Sequence, residues 1–98
     1  MTNIIQIDKT HESRLNQLDF DNIPLGTTFT DHMFICSFRN GKWQKPKIKP
    51  LSSVSTHPAA MAFHYGQAIF EGMKATIGKS GSPLLFRPSE NAKRLNFS

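Results

Sequence analysis

Ninety-eight residues, 38% hydrophobic and 19% charged, with a formal net charge of +5, allow one domain with a thin core and exclude collagen, coiled coil, a disulfide scaffold and a disordered chain. No run approaches the ~20 apolar residues of a membrane span, Met1–Thr10 has no apolar stretch behind a basic start as a secretory leader would, and the single Cys36 cannot bridge internally, so a cytoplasmic setting is expected. Charge is uneven: residues 1–31 hold Asp8, Glu12, Asp19, Asp21 and Asp31 against Lys9 and Arg14, whereas residues 39–98 hold ten Lys or Arg against Glu71 and Glu90. A basic balance suits nucleic acid, a phosphate-bearing ligand or only a solvated face.

Ile4, Ile5 and Ile7 suggest a short extended piece, and Glu12–Leu18 a helical turn. Pro24-Leu25-Gly26 reads as a turn. Thr27–Thr30 suits extended backbone. Asp31–Phe38 reads as a strand with Met33, Ile35 and Ser37 on one side and Phe34, Cys36 and Phe38 on the other, both faces partly covered. Asn40-Gly41 supplies the two-residue signal of a type I′ turn, so Lys42–Lys49 returns as the second strand of a hairpin. Pro46 and Pro50 cannot donate ladder hydrogen bonds, which predicts an edge position, with the lysines as exposed guards against sheet-to-sheet pairing.

Leu51–Thr56 is a Ser-rich connector. Pro58–Ala62 opens a helical turn, and Tyr65–Phe70 is a second candidate helix that Gly72 ends or bends. Met73–Ile77 and Leu84–Phe86 read as strands joined by the loop 78–82. Pro88–Ser98 reads as a helix, with proline in its first turn and Glu90 near its positive end. That helix shows no C-cap glycine and no return into a core, which suggests a fragment. The order of elements gives a mixed α/β class.

Chemistry read from the residues alone goes little further. Gly78-Lys79-Ser80-Gly81 lacks phosphate-loop spacing, and Cys36 with the scattered His11, His32, His57 and His64 makes no zinc set. Phe63-His64-Tyr65-Gly66 is the densest functional-looking cluster. Its plainer reading is a buried aromatic knot. His32 reads as a hydrogen-bonded structural residue and Cys36 as an inert small hydrophobe. Arg94 is by default a solvated charge, although its planar fork suits a phosphate.

Two stretches resemble the branched-chain aminotransferases, pyridoxal-phosphate enzymes of fold type IV. One is Gly26–Met33. The other is Leu51–Ala75, above all His57-Pro58-Ala59-Ala60 and Phe63–Ala75. Leu85-Phe86-Arg87-Pro88, Asn91 and Arg94-Leu95 continue in register. The resemblance implies a homodimer of two-domain subunits. The chain would supply an N-terminal segment, 1–24, and an incomplete small domain, 25–98, whose mostly antiparallel sheet is flanked by helices. The activity implied is transfer of the amino group of leucine, isoleucine or valine to 2-oxoglutarate with pyridoxal 5'-phosphate.

By position the resemblance matches Arg94 to the arginine that grips the cofactor phosphate, and Tyr65 and Phe70 to the walls of the substrate side-chain pocket. Gly72 matches a position near that pocket where a side chain would intrude. Leu25 departs from the aromatic residue that relatives often carry. The lysine that binds the cofactor covalently lies, in the family, beyond Ser98, and Lys74, Lys79 and Lys93 do not match it. This chain therefore offers no catalytic residue and is expected to be inert alone. The alternatives are a fold type IV enzyme with another substrate, such as a D-amino-acid aminotransferase, and a basic nucleic-acid-binding module using Lys42–Lys49. Partners implied are small amino and keto acids, with neither nucleic acid nor membrane.

Overall fold

A computed structural model describes residues 4–98. Met1–Asn3, part of the N-terminal segment and of the leader reading, lie outside the described residues. The chain divides into two units, one reaching Val54 and the other running from Ser55 to Ser98.

The first unit holds strands β1 (Gln6–Ile7), β2 (His32–Ile35), β3 (Phe38–Arg39), β4 (Lys42–Trp43) and β5 (Lys47–Pro50), with a one-turn 3-10 helix at Leu15–Gln17 between β1 and β2 in the chain. Three of them form a sheet in the order β1-β5-β2. β2 runs antiparallel to β5 with Phe34 opposite Ile48, and β1 runs parallel to β5 with Ile7 opposite Ile48. The expected edge position of Lys42–Lys49 is therefore overturned for its second half, because β5 is the central strand. Its prolines permit this. Pro46 precedes β5 and Pro50 ends it, so no interior ladder donor is missing. Pro46 takes part through its carbonyl, which accepts from the Gln6 N–H at 3.1 Å. The expected cover on both faces is half right. Met33 and Ile35 are half-buried, whereas Phe34 and Phe38 stay mostly exposed.

The hairpin forms where the sequence placed it. β3 and β4 pair antiparallel around Asn40-Gly41, with φ of +53° and +75° at those residues, as a type I′ turn requires. Phe38 and Trp43 close it edge to face at 5.2 Å. Nothing lies within 4 Å of a Cβ built on Gly41, so an alanine there meets no clash, only the left-handed backbone. Gly41→Ala should cost the hairpin about 1 kcal/mol. Weaker cross-strand contacts between the Phe38 and Trp43 rings, read by NMR, would record it. Unchanged contacts would refute the turn assignment.

The N-terminal segment is tied to this unit by more than β1. The Ser13 hydroxyl donates to Asp31 Oδ2 at 2.6 Å, the Arg14 backbone N–H donates to Oδ1 at 3.1 Å, and the Arg14 guanidinium reaches the Phe29 and Thr30 carbonyls at 3.2 and 3.0 Å. The Thr10 N–H donates to His32 Nε2 at 2.9 Å, which bears out a structural role for that histidine. The Ser13 hydroxyl, then the Arg14 N–H, hold the Asp31 carboxyl below its ordinary range. A depressed carboxyl stabilises above its unfolded pKa and loses that contribution as pH falls through the folded one. Acidification below about pH 4 should release the latch, a window set by the ordinary aspartate pKa of about 3.9. The Ser13 and Arg14 amide shifts would follow the Asp31 titration; shifts that ignore it would disprove the latch.

The second unit holds α1 (Met61–His64), β6 (Ala75–Ile77), β7 (Pro83–Leu85) and α2 (Pro88–Phe97). β6 and β7 pair antiparallel, with Ala75 opposite Leu85. The helix expected over Tyr65–Phe70 is absent. Gly66 takes φ +58°, and the Gln67 N–H returns to the Met61 carbonyl at 3.2 Å, so the chain turns out of α1 and continues without regular structure. The buried aromatic knot is absent too. Phe63 and Tyr65 are exposed, and His64 is satisfied locally by the Pro58 carbonyl at 2.7 Å.

Strands and short helices together make a mixed α+β arrangement, yet among the described residues none is buried. Each unit thus has hydrogen-bonded ladders, while large apolar side chains among the described residues of each, such as Phe34 and Phe86, stay exposed. Among the described residues no helix is long and apolar enough to cross a membrane.

Candidate functional site

The site is built on α2. Pro88 fixes the first helical φ and has no N–H to lose there, and Glu90 lies in the first turn beside the positive end of the helix dipole. The helix closes on Ser98, whose backbone N–H and hydroxyl both donate to the Arg94 carbonyl at 3.1 Å. Asn91 and Arg94, three residues apart, share one side of the helix, and both reach Glu71.

Arg94 Nε donates to Glu71 Oε2 at 2.7 Å, and Arg94 Nη2 donates to Glu71 Oε1. Two parallel bonds of this kind fix a guanidinium in direction as well as position. Asn91 Nδ2 donates to Glu71 Oε1 at 3.0 Å and to the Gly72 carbonyl at 2.9 Å. The Glu71 side chain keeps 12% of its exposure while that of Arg94 keeps 68%. The Arg94 guanidinium, helped by the Asn91 amide, lowers the Glu71 carboxyl to about 2. The carboxylate in turn pushes Arg94 further above its ordinary value. Both groups are charged across the physiological range.

Beside Arg94 lies an open cavity of about 580 Å³ whose lining includes Phe86, Arg87, Glu90, Lys93, Arg94 and Phe97. Three cations and one acid give it a positive cast. Glu90 is engaged by Lys93 at 2.9 Å and Arg87 at 3.6 Å. Such a concavity can receive an anion at its cationic side chains.

The four residues singled out by sequence fall unequally around this arrangement. Arg94 is in it. Gly72 joins it through its carbonyl, and a Cβ built there meets nothing within 4 Å. Tyr65 and Phe70, at 81% and 91% exposure, are not among the residues lining the Arg94 cavity. Glu71 and Asn91, which organise the site, carried no role in the sequence reading. The spacing of Asn91 and Arg94 on one predicted helix was a usable signal. The pairing with Glu71, 23 positions earlier, had none.

No family model matches the chain. Curated relatives do. The chain is 48% identical over 84 residues to the branched-chain-amino-acid aminotransferase 2 of Bacillus subtilis (strain 168), covering 85% of this chain and 22% of that protein. It is 40% identical over 99 residues to the branched-chain-amino-acid transaminase 1 of the same organism, covering 100% of this chain and 28% of that protein. Against the cytosolic branched-chain-amino-acid aminotransferase of Mus musculus the figures are 42% over 78 residues, 79% and 20%. The chain spans about a quarter of the length of the curated relatives it matches. Identity at this level over nearly all of the chain makes it a homologue of one segment of the branched-chain aminotransferases.

Proposed function

We propose that the chain is the small-domain portion, residues 25–98 with the preceding segment 1–24, of a fold type IV transaminase that moves the amino group of leucine, isoleucine or valine to 2-oxoglutarate. The observation that carries this reading is 40% identity along the whole chain to a branched-chain transaminase. Pyridoxal 5'-phosphate is the cofactor proposed, within a cytoplasmic homodimer. The residues present fit its phosphate: Arg94 has three guanidinium N–H groups not engaged by Glu71, is largely exposed, and lines a cavity of net positive charge.

Bound to an enzyme, pyridoxal phosphate supplies the electron-withdrawing ring on which amino groups are exchanged. This chain's own contribution is binding and orientation. Arg94 would hold the phosphate with fixed, charge-assisted donors. Phe70 would give an aliphatic substrate apolar wall area, Tyr65 would add area with one hydroxyl, and Gly72 would keep the space beside them open.

The test is a hybrid enzyme. This chain replaces the matching segment of the 40%-identical B. subtilis transaminase, and leucine-dependent formation of glutamate from 2-oxoglutarate is followed. Turnover of the hybrid, with none from the 98-residue chain given the cofactor, is expected. A hybrid that folds and binds cofactor yet accepts D-alanine rather than L-leucine would sink the branched-chain reading. Robust turnover by the chain alone would sink the assignment of the catalytic lysine elsewhere.

A further inference from the structure

We propose that Glu71 is a positioning residue for phosphate recognition: it holds the Arg94 guanidinium side-on so that its free edge presents N–H donors to an anion in the adjoining cavity. The inference rests on the reading of Arg94 as the phosphate-binding arginine and adds what makes that arginine competent.

The first support is which donors are engaged. A guanidinium carries five N–H groups in one plane. Glu71 takes the Nε–H and one Nη2–H. The other Nη2–H and both Nη1–H groups remain, on the edge of the plane away from the carboxylate. Arg94 itself lines the cavity with Arg87 and Lys93, so a phosphate arriving there can take two parallel bonds without displacing Glu71.

The second support is that the carboxylate is fixed from several sides. Exposed ion pairs usually contribute little, because two long side chains must be held in one geometry. Here Glu71 is nearly covered, receives both arms of the arginine fork, and takes a further bond from Asn91, which also binds the neighbouring Gly72 carbonyl. Asn91 sits one helical turn before Arg94, so two side chains of α2 grip the same carboxylate. The guanidinium is thereby held to one orientation out of the many an arginine samples.

Glu71 also brings a negative charge, which opposes anion binding. Arg87 and Lys93 on the same cavity, only partly offset by Glu90, keep it net positive. The two effects predict opposite results on removing the carboxylate: freed of its partner, Arg94 binds phosphate worse if orientation dominates and better if charge dominates. Ordering an arginine costs about 2 kcal/mol of rotamer freedom, a factor of up to about thirty, and we expect orientation to win.

The experiment uses the full 98-residue chain in the cold, with inorganic phosphate and pyridoxal phosphate as separate probes. The Arg94 Nε–H NMR signal and the β6–β7 amide signals are followed. In the unmodified chain the Nε–H signal should be slow to exchange with water before any probe is added, and should shift saturably with each probe. Glu71→Ala should hasten that exchange and weaken phosphate binding about tenfold with the β6–β7 signals retained. Glu71→Gln, whose amide oxygen still accepts from Nε–H, should recover part of the loss. Equal or tighter binding in Glu71→Ala overturns the proposal. Should Glu71→Ala lose the β6–β7 signals, Glu71→Gln decides: binding weakened about threefold or more supports positioning, and unchanged binding overturns it. Arg94→Ala separates the two readings. Unchanged phosphate affinity there, or no saturable shift in the unmodified chain, removes the phosphate role of Arg94 itself, whereas loss in Arg94→Ala with none in Glu71→Ala removes only the role of Glu71.

Discussion

Denaturant titration of the 98-residue chain is expected to give a broad, weakly cooperative transition, with bright fluorescence of apolar dyes before unfolding begins. The reason is area. An unfolded chain of this mass exposes about 16,000 Å², and a compact domain of the same mass about 5,700 Å². Among the described residues of either unit none is buried, so unfolding uncovers less area than it does in a compact domain. The denaturant slope follows that area, so it should fall below the value for an ordinary domain of this length. Among the described residues no side chain is fully enclosed, so no interior of high packing density exists to make the ladders melt together. Leu25, Phe86 and Phe97 are among the large apolar side chains facing water, a surface that binds dyes and other apolar faces. The measurement is the slope, taken with dye fluorescence across the titration. A sharp transition with the slope of a compact domain, and no dye signal, would contradict the lack of buried residues among those described.

What could be read from the sequence depended on how far apart the interacting residues lie. The β3–β4 hairpin was legible because Asn40-Gly41 carries its own instruction: both residues accept positive φ at low cost. Helix α2 was legible because Pro88 and Glu90 mark its start. The central place of β5 was not, since its second partner is Gln6–Ile7, some forty positions away, and proline alone argued for an edge. Tyr65–Phe70 misled in the opposite way. Its composition suits a helix, but Gly66 in the left-handed region ends α1 before that preference can act. At the candidate site, Arg94 was singled out by resemblance and by the chemistry of its fork. Glu71 was hidden because an acid next to an apolar motif looks like a solvated charge until the fold brings α2 across to it.

The exposure of Phe70 makes its proposed role unusually clean to test. In most proteins replacing phenylalanine by alanine opens a cavity and costs stability, which confounds any kinetic reading. Phe70 is 91% exposed within this chain, so the segment loses no packed contact when the ring is removed. In a full-length transaminase carrying this segment, Phe70→Ala should raise KM for leucine about ten- to a hundredfold, the range set by burying one aromatic ring against an apolar partner. Glutamate presents a carboxylate where leucine presents branched methyl groups, so it gains little from that wall, and its KM should move less than about threefold. A matching Tyr65→Phe change keeps the ring and removes only the hydroxyl, so it should spare leucine far more than Phe70→Ala does. Parallel KM values for both substrates across the variants are the measurement. Equal losses for leucine and glutamate would mean that Phe70 packs against the rest of the enzyme instead of the substrate, and the pocket assigned to Tyr65 and Phe70 would have to be withdrawn while the phosphate role of Arg94 stood or fell on its own experiment.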